Sequence, residues 1–141
     1  MRERPRDLAD SVDIVALGTV ADVVALDANN RTLVHQGLAR IRSGKTRPGI
    51  TALIEVANRN AARLSASDFG FSLAPRLNAA GRLDDMSLGI ACLLATDINQ
   101  ARRIAAELDS LNHERREIEQ GSYTRRRAHG SEREVDCCLP R

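Results

Sequence analysis

Apolar positions recur along this chain at three- and four-residue steps, a spacing that predicts helices rather than strands. Over residues 13–26 the series Ile14, Leu17, Val20 or Ala21, and Val24 marks one helical face. The polar cluster Asp27-Ala-Asn-Asn30 then stops that helix and offers caps for the next. A second helix is predicted over residues 31–42, with Leu33, Gly37, Leu38 and Ile41 inward and Ser43-Gly44 closing it. Pro48 suits the first turn of a third helix over residues 49–57, whose core face is Ile50, Leu53, Ile54 and Ala57. Residues 65–82 mix Gly70, Pro75 and Gly81 with short apolar pieces, which predicts loops and a single helical turn. A fourth helix is predicted from Asp84-Asp85, with Leu88, Ala91, Cys92 and Ala95 on one face. Asp97-Ile-Asn-Gln100 is a capping-box pattern opening a long fifth helix. Its inner face reads Ile98, Ala101, Ile104 or Ala105, Leu108, Leu111, Arg115 and Ile118, and Arg115 and Glu119 stand four apart on the charged side. After Gln120 the periodicity ends, and residues 121–141 are predicted to be disordered.

Composition sharpens this picture in two ways. Aromatic residues make up only 2% of the 141 residues, so the core is built from Leu, Ile, Val and Ala, as packed helices allow. No apolar run approaches the length of a membrane span, and a cytoplasmic protein without a membrane partner is expected. The net charge of +2 falls entirely in residues 121–141, so global charge offers no argument for nucleic acid. Cys92 lies within an apolar helical pattern and reads as a buried small side chain. Cys137 and Cys138 have no spaced Cys or His partners for zinc.

Three places could carry chemistry. On the predicted first helix, Asp22 lies among Gly18 and Ala25, one turn away on either side. A carboxylate in such a segment either caps a turn, pairs with an arginine, or ligates a hard cation such as magnesium or manganese. In Pro75-Arg76-Leu-Asn78-Ala-Ala-Gly81-Arg82, two arginines, an asparagine and a glycine could wrap an anion, or could form a plain surface turn. The cluster Arg40, Arg42, Lys45 and Arg47 is better explained as basic residues at the negative end of a helix than as a nucleic-acid contact. His35, His113 and His129 have no telling partners, and no Walker loop, dinucleotide fingerprint or nucleophile elbow occurs.

In series, these segments resemble the RecJ-like single-strand-specific exonucleases of the DHH phosphoesterase superfamily. The matching residues are Leu17-Gly-Thr-Val-Ala-Asp22-Val-Val, Asn30-Arg31, Gln36-Gly37-Leu38, Arg47-Pro-Gly-Ile50, Asp68-Phe-Gly-Phe71 and Pro75-Arg-Leu-Asn-Ala-Ala-Gly-Arg82-Leu. They span residues 8–120, and the last block is the most specific. The resemblance implies metal-dependent 5′→3′ hydrolysis of single-stranded DNA in repair and recombination, with Mn2+ or Mg2+ as cofactor. It makes Asp22 the catalytic metal ligand, and makes Asn78 and Arg82, with Arg76 as a weaker candidate, the nucleic-acid-binding residues.

The sequence departs from the family pattern at Ala25, where proline is usual, and at Ala74, where glycine is usual. It also contains no Asp-His-His triplet and no Asp-rich first motif. The expectation is therefore a fragment. Residues 1–95 would be the C-terminal part of a DHH domain, 96–120 a long connector helix, and 121–141 a disordered or frameshifted tail behind a late-assigned start. As it stands the fold is expected to be all-α: the C-terminal helical part of an α/β DHH domain plus the connector. One carboxylate cannot hold two hard cations, so the fragment is expected to be inactive alone and to bind metal weakly. Its partners would be the missing N-terminal half or another copy. The competing expectation is a non-catalytic helical binding or assembly module.

Overall fold

Capping chemistry sets where each helix begins and ends. In the computed structural model, which describes residues 8–81 and 86–134 and side chains over 10–81 and 86–121, a short 3-10 turn at Leu8–Ser11 leads into α1, Val12–Ala21. The Asp27 carboxylate accepts from the Asn30 N–H at 2.8 Å and starts α2, Ala28–Arg42. Pro48 opens α3, Pro48–Val56, where its missing N–H costs nothing. Ser65 and Asp68 cap each other reciprocally, hydroxyl to N–H and carboxylate to N–H, and start α4, Ala66–Asp68. That turn continues through a π turn at Phe69–Leu73 into α5, Ala74–Gly81. Next come α6, Ser87–Leu94, and α7, Ile98–Glu134, whose first turn is capped by Asp97 at 2.8 Å from the Gln100 N–H. Among the described residues there is no strand, as the all-α expectation requires.

Three expectations need correction. The first helix ends at Ala21 and does not reach Leu26. Residues 66–81 are one unbroken helical run rather than loops. Pro75 would break a regular helix, but the wider π turn just before it absorbs the lost N–H bond. Finally, α7 continues past Gln120 to Glu134, so the predicted disorder from residue 121 is not observed over 121–134. That stretch lacks proline and is rich in Arg and Glu, which are good helix formers. Arg82, Asp84, Asp85 and residues 135–141 lie outside the described residues.

The core is aliphatic. Leu17, Ile41, Ile50, Leu53, Leu64, Leu73 and Leu108 are fully buried around Phe69. Helices α1 and α2 cross closely because Gly37 faces the backbone of Val12, and α3 meets α6 where Gly49 lies against the Cys92 carbonyl. Helix α7 packs across α3, α5 and α6 through Ala101, Ala105 and Leu108, each 0% exposed. Within α2 the inward residue is Val34, and the predicted Leu33 is exposed at 37%. Cys92 is buried as expected, and burial pushes its thiol up to about 11, leaving it protonated and unreactive.

Candidate functional site

Three helices end in the same way. After α2, α3 and α1 the chain turns through one left-handed residue, which is Gly44 (φ 75°), Asn58 (φ 53°) and Val23 (φ 54°) respectively. In each turn that residue and the next donate back to carbonyls of the last helical turn. At α1 the Val23 N–H bonds the Val20 carbonyl at 3.2 Å and the Val24 N–H bonds the Thr19 carbonyl at 3.1 Å. Gly and Asn adopt this conformation readily. A β-branched valine does not, and it costs about 1–3 kcal/mol. Sequence periodicity could not reveal this stop, because the apolar run through Val23, Val24 and Leu26 imitates a continuing helix.

The turn places Asp22 at the C-cap of α1, exposed to solvent. It is therefore not a mid-helix residue between Gly18 and Ala25 turns, as the periodicity predicted. Its N–H bonds the Gly18 carbonyl at 3.0 Å, and among the described residues its carboxylate has no cationic or hydrogen-bonding partner. The C-terminal end of a helix carries partial negative charge, so an anionic side chain there is unfavourable until a cation arrives. Beside this turn runs a groove of about 380 Å³, lined mainly by Val20, Val23, Val24, Leu26, Ala66 and Phe71. Val23 is 88% and Phe71 79% exposed.

The other sequence-predicted residues fall elsewhere. Asn78 is exposed on α5 and does not line the groove beside Asp22. Arg76 is committed within the fold: its Nε donates to the Asp109 carboxylate at 2.8 Å, and its terminal nitrogens meet the Ser72 and Val56 carbonyls. It fastens α5 to α7 and α3, so its guanidinium does not present a free fork to a phosphate. Of the basic cluster, Arg40 pairs with Asp10, Arg47 with Asp13, and Arg42 donates to the Leu64 carbonyl. These arginines tie the α2 end to its neighbours, in keeping with the structural explanation.

One acidic residue escaped sequence reasoning. Asp13 is 1% exposed and accepts from the Ile14 N–H, the Thr46 hydroxyl and the Arg47 N–H at 2.8, 3.0 and 3.2 Å. It clasps the loop before α3 to the start of α1, and no spacing in the sequence signals that contact. Among the described residues, no three His, Cys, Asp or Glu side chains converge as a metal centre would need.

The comparisons decide the ancestry of this arrangement. The single-stranded-DNA-specific exonuclease RecJ of Dickeya dadantii is 69% identical over 115 residues, 82% of this chain and 20% of that protein. Over four fifths of its length this chain is similar to one segment of the RecJ exonucleases. The RecJ exonuclease of Escherichia coli is 68% identical over 115 residues, and that of Thermus thermophilus 37% over 108. The crystal structure of Thermus thermophilus RecJ in complex with Mg2+ superposes with a TM-score of 0.76 at 34% identity, over 84% of this chain and 18% of that one. An exonuclease RecJ bound to manganese gives a TM-score of 0.75 at the same identity. No protein-family model matches the chain. The chain spans about a fifth of the length of these curated RecJ relatives.

Proposed function

We propose that this chain is the part of a metal-dependent 5′→3′ single-stranded-DNA exonuclease that contributes one carboxylate ligand, and that it does not cleave DNA alone. The observation that carries the reading is Asp22, an exposed carboxylate on the negative end of α1 without a cationic partner among the described residues. Such a group fits a hard divalent ion, and RecJ structures similar to this fold were solved with Mg2+ or Mn2+. Among the described residues Asp22 is the one ligand proposed, so further carboxylate or histidine ligands have to come from elsewhere in the assembled enzyme. When bound, divalent ions of this kind activate water and stabilise the charge that develops as a phosphodiester breaks. Asn78 and Arg82 are the proposed phosphate contacts; Arg76 keeps the α5–α7 contact instead.

Residues 1–95, 96–120 and 121–141 are proposed as partial DHH domain, connector and tail, with the missing N-terminal half of the enzyme as the partner. Among the described residues no helix is long and apolar enough to cross a membrane. The second reading, a non-catalytic assembly module, is favoured by the exposed apolar residues Val23, Phe71, Ile90 and Leu94. The test is substitution in the chain combined with the remainder of a RecJ polypeptide. Asp22→Asn should abolish manganese-dependent cleavage of single-stranded DNA while leaving association of the two parts intact. Full cleavage by that variant would remove Asp22 from the metal site.

A further inference from the structure

The strained turn at Val23 is held from its far side. Behind it, the Asn30 side-chain amide donates to the Ala25 carbonyl at 2.8 Å, and Arg31 Nε donates to the Leu26 carbonyl at 2.8 Å. Asp27, between them, caps α2 and bonds back to the Ala25 carbonyl through its own N–H at 3.0 Å. Residues 22–27 are thus tied to the last turn of α1 at one end and to the first turn of α2 at the other. The turns at Gly44 and Asn58 use residues suited to the left-handed conformation. The turn at Val23 uses a residue that resists it, so here the conformation must be imposed by what surrounds it. Val23 itself is 88% exposed, so packing of its side chain does not supply that restraint. What remains are the hydrogen bonds on either side of the turn, two of them from side chains of α2.

We propose that Asn30 and Arg31 are positioning residues for Asp22: by holding the Ala25 and Leu26 carbonyls, they keep Val23 left-handed and so fix the direction of the preceding carboxylate. This rests on the reading of Asp22 as a metal ligand. A ligand on a flexible turn offers its oxygen in many directions. A ligand on a turn pinned at both ends has its Cα–Cβ bond aimed in one direction, which leaves only side-chain rotamers to settle when a shared divalent site forms. Neither residue touches the ion or the substrate in this account; both act through the backbone of residues 23–26.

The experiment is amide hydrogen exchange by NMR on the full chain, with the equivalent turns at Gly44 and Asn58 as internal references. Asn30→Ala and Arg31→Leu should each speed exchange of the Val23 and Val24 N–H by about fivefold or more, the change expected from losing one hydrogen bond of ordinary strength. Exchange at Gly44, Lys45, Asn58 and Arg59 should stay as it was. Adding Val23→Gly to Arg31→Leu should restore slow exchange, because glycine adopts the turn without being held. A loss of α2 stability alone would not be rescued in that way. Unchanged exchange at Val23 and Val24, equal acceleration at all three turns, or no rescue by glycine would each overturn the proposal. A manganese titration of the same samples keeps the two readings apart. Broadening centred on the Asp22 amide, lost in Asp22→Asn, supports the metal reading. Its absence when the remainder of a RecJ polypeptide is also present to supply the other ligands overturns that reading, whatever the exchange rates show.

Discussion

Two ends of this small fold are built to different standards. Where α3, α6 and α7 meet, Gly49 lies against a carbonyl and Ala101, Ala105 and Leu108 are sealed from solvent. Where α1 turns at Asp22, Val23 and Phe71 stand almost bare beside an apolar groove, and a valine holds a conformation it disfavours. The first end is a finished core. The second has the character of a surface shaped for something else to rest on, and that is where the carboxylate sits. Stability is thus carried by the closed end and the proposed function rests on the open one, and substitutions should separate them.

The largest effect should come from Gly49→Ala. Its Cβ would fall 2.0 Å from the Cys92 carbonyl oxygen, and both helices would have to part. A loss of about 3 kcal/mol is expected, lowering the thermal midpoint by roughly 10 °C. A midpoint within a degree or two of the parent would show that this end is looser than described. Asn112 sharpens the same side of the comparison. It is 0% exposed, and among the described residues neither end of its side-chain amide has a hydrogen-bond partner. Asn112→Leu should therefore raise stability, by about 1 kcal/mol in urea unfolding. Destabilisation would mean that the amide is paired after all.

Acid should act on the α4 cap. The Ser65 N–H and hydroxyl, with Arg59 adding a weaker charge effect, hold the Asp68 carboxyl below its ordinary value. A depressed folded-state value means that its stabilisation is complete above the unfolded value and disappears as pH falls through the folded one. Unfolding followed below about pH 4 should show this loss, and Asp68→Asn should remove that part of the pH dependence. The smallest effect belongs to the open end. Phe71→Ser should change stability by less than about 0.5 kcal/mol, because the ring is 79% exposed, while reducing self-association in sedimentation. A large loss of stability would show the ring to be part of the core.

Much of the closed end was legible in the sequence. Ile50, Leu53 and Ile54 on α3, and Ala101, Ala105 and Leu108 on α7, follow helical spacing because burial on one face imposes it. The run from residue 66 to 81 was not legible, because Gly70 and Pro75 are breakers in a regular helix and a π turn leaves no periodic signature. The open end misled for a different reason. Val23, Val24 and Leu26 continue the apolar series although all three are exposed, so the pattern reports a surface as though it were a core. Asp22 could be picked out by its family block, but its place at the helix terminus, and the hold of Asn30 and Arg31 on the turn behind it, are visible only in three dimensions.

The most direct measurement is manganese-dependent degradation of 5′-labelled single-stranded DNA by the chain alone, by the rest of a RecJ polypeptide alone, and by the two together. The account predicts cleavage only in the mixture, where Asp22 joins the remaining ligands. Cleavage by the chain alone would contradict it, and so would a folded, associated mixture that leaves the DNA intact.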